Sequence, residues 1–297
     1  MAEMRPELSV IVCTHNRPDD LERCLDALAR LDDTPQVIVV DSATEPPCEA
    51  LVARYETALP GLVYEHESEP GLSRARNRGV ARASGSIVAF LDDDAAPHRD
   101  WSREILAPFA SDARIGCVGG ACVAAFEPEA ERPRWLSDRL LQFAGITRFG
   151  DVAREARSSA EWPFGANMAF RASALGSDPF AEELGRNGTT LLSGEESALV
   201  ERLRAVGWTV WLEPRAIVDH TVTRERCRSS YYWRRLWWAG VTRARRADRA
   251  STGFRLVLAT PIRALLYLLT RDRVYLYRSA ETAGFLVERT RLRRSAL

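Results

Sequence analysis

Three aspartates follow a short apolar run in the segment GSIVAFLDDDAAP, which spans residues 85–97. The apolar residues 87–91 predict a buried strand, and Asp92, Asp93 and Asp94 come directly after it. Adjacent carboxylates repel one another, so a site that holds them together needs positive charge. Hard cations such as Mg²⁺ and Mn²⁺ prefer carboxylate oxygens and leave room for substrate phosphates. The triplet therefore predicts a divalent metal site for a nucleotide diphosphate, and capping of the next helix is its structural alternative.

Polar residues also end other apolar runs. Thr14, Asn16 and Arg17 stand at or after the end of the strand pattern LSVIVCT, and Asp41 ends the pattern QVIVVD. Up to residue 97 the elements alternate between strand and helix, which is typical of a parallel sheet with helices on both faces. Ligands bind at the carboxyl ends of the strands in such sheets. We therefore expect these residues and the aspartates to meet in one crevice, where Asp41 could accept a hydrogen bond from a base.

Two predicted helix starts carry further candidates. Arg74, Arg76 and Asn77 lie where a loop enters a helix, which is a position suited to contacts with phosphate or base. The segment SGEESALVERLRAVG predicts a second helix, and its Ser193 and Glu196 have the spacing of a capping box. A structural role for Glu196 is therefore open beside any chemical one.

The charge of the chain is unevenly distributed. The net charge is zero and all 41 basic residues are arginine, but residues 221–297 hold 18 arginines against 5 acids, an excess of 13. Basic segments of this kind bind anionic lipid, nucleic acid or an acidic part of the same chain. No recognised nucleic-acid-binding module accompanies the arginines, so we expect no nucleic-acid partner.

The same region combines arginine with large aromatic residues. The segment YYWRRLWWAGV places Trp233, Leu236, Trp237 and Gly240 on one helical stripe. Basic amphipathic helices with tryptophan and tyrosine lie at bilayer interfaces, which predicts contact of residues 223–297 with a membrane surface. Packing on the acidic remainder of the chain is the alternative.

The lack of a recognisable secretion signal and the pattern of the cysteines predict a protein inside the cell. The first ten residues lack the basic and apolar regions of a secretion signal, and no uncharged stretch reaches the roughly 18 residues that span a bilayer. The six cysteines form no C-x-x-C pair, which favours reduced thiols over disulfides or zinc. We predict a cytoplasmic protein, peripheral at most to the inner face of the membrane.

Four segments together resemble the glycosyltransferase family 2 group. They are LSVIVCTHNRPDDLERCLDAL, QVIVVDSAT, GLSRARNRGVARASGSIVAFLDDDA and GEESALVERLRAVGWTVWLEPRAIVDH. Each is weak alone, but all four in this order are specific. The resemblance implies an α/β fold of the GT-A (Rossmann-like) type, with a mostly parallel sheet flanked by helices. It implies a GT-A domain at 1–222, with a nucleotide-binding half (1–97) and an acceptor-side half (98–222), before a helical extension at 223–297.

The resemblance also implies roles for the residues of the donor half. Thr14, Asn16 and Arg17 match positions that line the nucleotide site, and Asp41 matches the acid that reads the base. Donor contacts are expected as well from Arg74, Asn77, Asp92 and Asp93. The metal would be held by Asp94, with Asp92 and His220 as further ligands, although a lone histidine at a strand end is more often structural.

On the acceptor side, Glu195 and Glu196 match an acidic pair that opens a helix. Glu196 stands where the catalytic base is usually aspartate, which leaves open which of the two glutamates does the work. Trp162, Gly165 and Asn167 of the segment WPFGANM match the loop beside the acceptor, and core packing explains the aromatic residue nearly as well.

The implied activity is inverting, metal-dependent transfer of a sugar from a nucleotide-diphosphate donor to a hydroxyl acceptor. The cofactor would be Mn²⁺ or Mg²⁺, and the acceptor a glycan, a lipid-linked sugar or a small natural product. A sugar-phosphate nucleotidyltransferase is one alternative, but it would usually show a glycine-rich phosphate loop where this chain has THNRPDD. A non-catalytic protein that binds nucleotide sugars is another.

Overall fold

The computed structural model describes residues 7–147, 149–188, 190–246 and 251–295. These residues form two compact units. The first, here called the sheet unit, consists of Met1–Ala124, Thr147–Gly185 and Glu195–Thr221. The second, the helical unit, consists of Ala125–Ile146, Arg186–Gly194 and Val222–Leu297. The helical unit thus includes two segments from earlier in the chain, and the division of residues 1–222 into two functional halves stays a prediction.

One sheet of nine strands runs through the described part of the chain. Its strands are β1 (Leu8–Thr14), β2 (Gln36–Ser42), β3 (Val63–Glu67), β4 (Ile87–Asp92), β5 (Ala95–Pro97), β6 (Ile115–Phe126), β7 (Arg154–Glu155), β8 (Asn167–Arg171) and β9 (Thr209–Val222). They lie in the order β3-β2-β1-β4-β8-β6-β9-β5, and β7 pairs with β9. Strands β3, β2, β1 and β4 are parallel, whereas β8 is antiparallel to β4 and to β6. The predicted α/β fold is confirmed, with the antiparallel pairs in the second half of the sheet.

Alternate residues of the central strands face opposite sides of the sheet. In β1, Val10 and Val12 belong to one apolar cluster and Ile11 belongs to the other. In β4, Leu91 belongs to the first cluster and Phe90 to the second. Since both faces are covered by helices, both sets of side chains must be apolar, which explains the uninterrupted apolar runs in the sequence.

Six α-helices of the sheet unit accompany these strands. They are α1 (Pro18–Leu28), α2 (Glu49–Ala53), α3 (Leu72–Arg82), α4 (Trp101–Ser111), α6 (Ala172–Leu175) and α7 (Glu195–Ala205). The first cluster includes Leu25 of α1 and Ile105 of α4, and the second includes Ala75 of α3 and Leu199 of α7. The helices are therefore held on the sheet by apolar packing on both of its faces.

The helical unit contains the helices α5 (Asp138–Leu141), α8 (Ser229–Arg246), α9 (Ser251–Thr270) and α10 (Arg273–Ser295). Glycines let α8 and α10 approach closely: a Cβ on Gly240 would lie 2.0 Å from the backbone oxygen of Glu281, and one on Gly284 would lie 2.2 Å from that of Trp237. The ring of Tyr232 stacks on Tyr277 at 6.0 Å. The predicted C-terminal helices are thus confirmed.

Within the described ranges, the helices lack the combination of length and apolar content that a bilayer span requires. The stripe predicted on α8 is partly turned inward, because Leu236 and Gly240 are buried. Trp233 is exposed to 38% and its ring contacts Tyr277.

Strand register determines which side chains meet at the carboxyl edge of the parallel strands. Thr14 lies opposite Asp41 on β2, and Cys13 lies opposite Asp92 on β4. On the antiparallel side, β8 begins at Asn167 beside the end of β4. The loop before β8 therefore runs along the same edge as the aspartates.

Candidate active site

Two aspartates and a histidine converge after the end of β4. His220 Nε2 on β9 lies 3.1 Å from Asp94 Oδ1 and 3.9 Å from Asp92 Oδ2. One possible ligand atom from each of the three residues fits within a span of 4.8 Å. Asp94 and His220 are buried, whereas the Asp92 side chain is exposed to 36%. The two carboxylates suit Mn²⁺ or Mg²⁺, the imidazole favours a transition metal such as Mn²⁺, and the exposed Asp92 leaves one side of the cluster open to solvent.

The middle aspartate of the triplet is turned toward β1. Thr14 Oγ1 donates a hydrogen bond to Asp93 Oδ2 at 2.9 Å, and Arg17 Nη1 lies 3.2 Å from Asp93 Oδ1. The same guanidinium lies 3.6 Å from Asp94 Oδ2. Burial raises the pKa of Asp93 to about 7, although the charge of Arg17 opposes the shift. Asp93 thus joins the triplet to the end of β1, and Asp92 and Asp94 remain for the cluster with His220.

Arg76 connects this cluster to a second group of carboxylates. The side chain is buried on α3, and its Nη1 donates to Glu195 Oε1 at 2.9 Å and to Glu196 Oε1 at 3.1 Å. Its Nη2 lies 3.6 Å from Asp92 Oδ1. Burial alone would lower the pKa of Arg76, but the negative charges of Glu196, Glu195 and Asp92 outweigh it and raise the pKa. One guanidinium therefore balances three acids at the sheet edge.

The two glutamates open α7 and differ in exposure. The Glu195 side chain is 2% exposed and the Glu196 side chain 16% exposed. Both lie in the first turn, where the positive end of the helix dipole stabilises carboxylates. Glu196 is consequently the more accessible member of the pair.

Asp92 is held ionised by its surroundings. Burial would raise the pKa of this carboxyl group, but the hydrogen bond with His220 and the charge of Arg76 outweigh it and lower the pKa below its ordinary value. A carboxylate kept ionised at the open side of the cluster is suited to bind a cation.

A family model described as Glycosyl transferase family 2 matches residues 9–175, which is more than half of the chain. The chain belongs to this family. The matched range covers β1 to β8 and contains the aspartate triplet and Arg76. The resemblance stated from the sequence motifs is thereby confirmed. The glycosyltransferase transfers a sugar from a nucleotide-sugar donor.

Curated relatives and a solved structure extend the comparison. The chain is 28% identical to the succinoglycan biosynthesis protein ExoM of Rhizobium meliloti over 84% of this chain and 77% of that protein. It is 21% identical to a glucosyl-dolichyl phosphate glucuronosyltransferase of Haloferax volcanii over 80% of this chain and 76% of that protein. The mannosyltransferase PcManGT from Pyrobaculum calidifontis, solved with GDP-Man and Mn²⁺, superposes with a TM-score of 0.64. It is 20% identical and the match covers 97% of this chain and 88% of that one, which shows a common fold.

Gly165 of the glycosyltransferase lies in the loop before β8, against the charged group around Arg76. A Cβ at this position would lie 1.9 Å from Arg76 Nη2 and 2.7 Å from Glu196 Oε1. Both distances are shorter than atomic contact allows, so the backbone of the loop approaches the charges only because residue 165 has no side chain.

Gly165→Ala is expected to lower the turnover number by about 10²-fold, because the methyl group displaces Arg76 and with it the carboxylate of Glu196. The measurement is the rate of nucleotide release from the donor. Gly71→Ala is the matched control, since a Cβ there would meet only Arg74 Cβ, at 3.7 Å. Equal rates for Gly165→Ala and wild type would show that the contact with Arg76 is not needed for turnover.

Two of the predicted donor residues bind the backbone of the loop after β2. Asp41 is buried, and its carboxylate accepts hydrogen bonds from the backbone of Thr44 at 3.1 Å and of Cys48 at 2.7 Å, and from the Tyr64 hydroxyl at 2.8 Å. Asn16 Oδ1 accepts from the backbone of Glu45 at 3.0 Å. Both residues shape the rim of the site, and their contact with a nucleotide stays a prediction.

Three other predicted residues are engaged within the fold. Arg74 forms ion pairs with Glu69 and, at 2.9 Å, with Glu182. Asn77 is buried and exchanges two hydrogen bonds of 2.9 Å with the backbone of Phe180. The amide of Asn167 donates to the backbone oxygens of two strands and accepts from the Trp101 indole at 2.9 Å. Their roles in donor or acceptor binding stay predictions.

The loop before β8 carries Trp162, which is predicted to lie on the acceptor side, and a second aromatic residue, Phe164. Trp162 is half-buried and packs on the second apolar cluster, and Phe164 is exposed to 40%. Contact of Trp162 with an acceptor stays a prediction.

The role of Arg76 was not predicted from the sequence: its place at a helix start indicates contact with phosphate or base, whereas its guanidinium pairs with three acids. The available signal was the pair Glu195 and Glu196 at a helix start: two adjacent acids that are partly or fully buried need a nearby cation.

Proposed function

We propose that this glycosyltransferase moves a sugar from a nucleotide-diphosphate donor to a hydroxyl acceptor with inversion at the anomeric carbon, and that it requires Mn²⁺ or Mg²⁺. The observation that carries the proposal is the position of Arg76. Its guanidinium lies within 3.6 Å of Asp92 on one side and within 3.1 Å of Glu196 on the other. A donor-binding cluster and a candidate base thus stand one side chain apart.

In the donor half, Asp92, Asp94 and His220 would hold the ion. When bound, the ion would act as a Lewis acid and neutralise the charge that develops on the leaving diphosphate. Arg17 stands at the edge of the same cluster with 43% of its side chain exposed, and its charge favours a phosphate nearby. Thr14 and Asp93 fix the end of β1 against the cluster, so the proposed donor-binding residues keep a constant separation.

In the acceptor half, Glu196 would accept the proton of the attacking hydroxyl. The hydroxyl oxygen forms a bond to the anomeric carbon as the bond from that carbon to the diphosphate oxygen breaks, and the electron pair leaves with the diphosphate. Arg76 donates a hydrogen bond to the Glu196 carboxylate and would hold it in the orientation that a general base requires. Glu195 is buried behind it and supplies the second charge that Arg76 balances.

The acceptor is proposed to be a hydroxyl group of a glycan, a lipid-linked sugar or a small natural product. The names of the two curated relatives, which refer to succinoglycan biosynthesis and to a glucosyl-dolichyl phosphate, support the first two. We also propose that residues 223–297 contact the inner face of the membrane. Nucleic acid is not a proposed partner.

The variant Asp94→Asn tests the proposed metal-dependent binding of the donor. The variant keeps the shape of the side chain but removes one of the charges that attract the cation, so we expect loss of Mn²⁺-dependent binding of nucleotide sugars. The measurement is the thermal shift with a panel of nucleotide sugars, with Mn²⁺ or with chelator. For the wild type, a donor at 100 times its Kd adds about 2.7 kcal/mol of stability.

The control for this measurement is Asp112→Asn, since Asp112 forms a surface ion pair with Arg114 in the same unit. The melting temperature of Asp112→Asn should rise with nucleotide sugar and Mn²⁺ as much as that of the wild type. If the wild type binds a nucleotide sugar equally well with Mn²⁺ and with chelator, the metal requirement is contradicted.

A further inference from the structure

Helix α9 exposes a broad apolar surface. Its twenty residues include no acid, and six of its large apolar side chains are between 46% and 71% exposed. They are Val257, Leu258, Ile262, Leu265, Leu268 and Leu269. Scattered exposed leucines are ordinary on protein surfaces, but a continuous patch of this kind marks an interaction surface.

The spacing of these residues makes the surface continuous. Leu258, Ile262, Leu265 and Leu269 are separated by four, three and four residues, so they form one stripe along the helix. From residue 257 to residue 269 the apolar surface is about 18 Å long at the rise of an α-helix. Only one α9 side chain between residues 256 and 270 is buried, that of Leu256.

A groove continues this surface onto α10. It has a volume of about 220 Å³ and is lined by side chains that include Tyr267, Leu268, Tyr275 and Leu276. Tyrosine combines an apolar ring with a polar hydroxyl and is enriched where apolar and aqueous phases meet. The groove and the α9 stripe therefore have the character of one amphipathic surface on the α9–α10 hairpin.

Positive charge lies at both ends of the hairpin. Residues 251–297 contain nine arginines and three acids. Arg271 is exposed at the turn between the helices, and three arginines near the end of α10 are exposed at the other end, namely Arg291, Arg293 and Arg294. Exposed basic groups that flank an apolar surface attract anionic head groups.

Two of the three acids of the hairpin are buried in ion pairs with other arginines. Glu281 pairs with Arg243 of α8 at 2.8 Å and with Arg278 at 3.1 Å, and Glu288 pairs with Arg245 of α8 at 2.8 Å. The remaining acid, Asp272, accepts hydrogen bonds from the Ser137 hydroxyl and the Val274 backbone, both at 3.0 Å.

We propose that the α9–α10 hairpin lies on the surface of an anionic bilayer, with the exposed stripe of α9 at the acyl boundary and the arginines among the lipid phosphates. A second copy of the chain fits the surface less well, because a two-fold contact through α9 would bring two arginine-rich hairpins together. The proposal rests on the membrane contact proposed above for residues 223–297 and narrows that contact to α9 and α10. It does not depend on the transfer chemistry.

The test is flotation of the full-length protein with vesicles of phosphatidylcholine, alone or mixed with phosphatidylglycerol. The wild type should float with the anionic vesicles and about ten-fold less with neutral ones or at high salt. The double variant Leu265→Asp/Leu269→Asp should bind anionic vesicles at least about ten-fold more weakly. The matched control is Val152→Asp/Val206→Asp, whose valines are 72% and 73% exposed in the sheet unit and should bind as wild type.

Thermal unfolding and donor hydrolysis should be equal in the wild type and both variants, because all four positions are exposed. Failure of the wild type to float with either vesicle, or equal flotation of Leu265→Asp/Leu269→Asp, would overturn the proposal. Light scattering of the lipid-free protein measures whether α9 instead mediates contact between two copies of the chain. If the same variant converts a dimer to a monomer and the wild type does not bind vesicles, the surface belongs to a second copy and the membrane proposal is wrong.

Discussion

Glu196→Gln is expected to lower the rate of sugar transfer by about 10²–10⁴-fold while the affinity for the donor changes little. Glutamine keeps the length of the side chain and can still accept a hydrogen bond from Arg76, but it cannot take a proton from the acceptor hydroxyl. The donor cluster around Asp94 is unchanged by the substitution. The measurement is kcat and KM from nucleotide release, together with the Mn²⁺-dependent thermal shift by the donor.

Glu195→Gln is the matched control for this result. The two glutamates are adjacent and contact the same Arg76 nitrogen, but only Glu196 has appreciable exposure. We therefore expect the loss of kcat to be much smaller for Glu195→Gln. If Glu196→Gln turns over within several-fold of the wild type while Glu195→Gln abolishes turnover, the base is Glu195.

The edge of the parallel strands was predictable because strand order and strand ends are local properties of the sequence. The apolar runs that end at Thr14, Asp41 and Asp92 lie side by side in the sheet, and parallel pairing brings their carboxyl ends together. The sequence alone did not predict that β8 pairs with β4 in the opposite direction. That pairing depends on a long connection, whose path no local pattern determines.

The bonding partner of each polar side chain was less predictable than its position in the fold. Asn77 and Asn167 were expected to contact ligands, and the structure shows their amides bonded to backbone groups of distant segments. Buried polar groups must be satisfied, but the sequence does not show whether the partner is a ligand or the fold. The same limit explains Arg76, since two of its acidic partners, Glu195 and Glu196, stand about 120 positions away in the chain.

Arg76→Met is expected to lower the free energy of unfolding by about 3–5 kcal/mol, because removal of one member of a buried ion pair leaves its partner's charge uncompensated. The side chains of Arg76 and Glu195 are 3% and 2% exposed, so water screens their interaction little. The measurement is urea unfolding at constant m-value. Arg114→Met removes an exposed arginine that pairs with Asp112, and it should leave the midpoint unchanged.

Adding Glu195→Gln to Arg76→Met separates charge from packing. If the arginine stabilises the fold as a counter-ion, the neutral glutamine should recover a large part of the lost stability, while kcat stays low because Glu196 has lost the group that orients it. Arg76 also lies over the ring of Phe180, with 5.4 Å from its guanidinium carbon to the ring centroid. An equal loss of stability in the single and the double variant would mean that this contact, and not the balance of charge, makes Arg76 necessary.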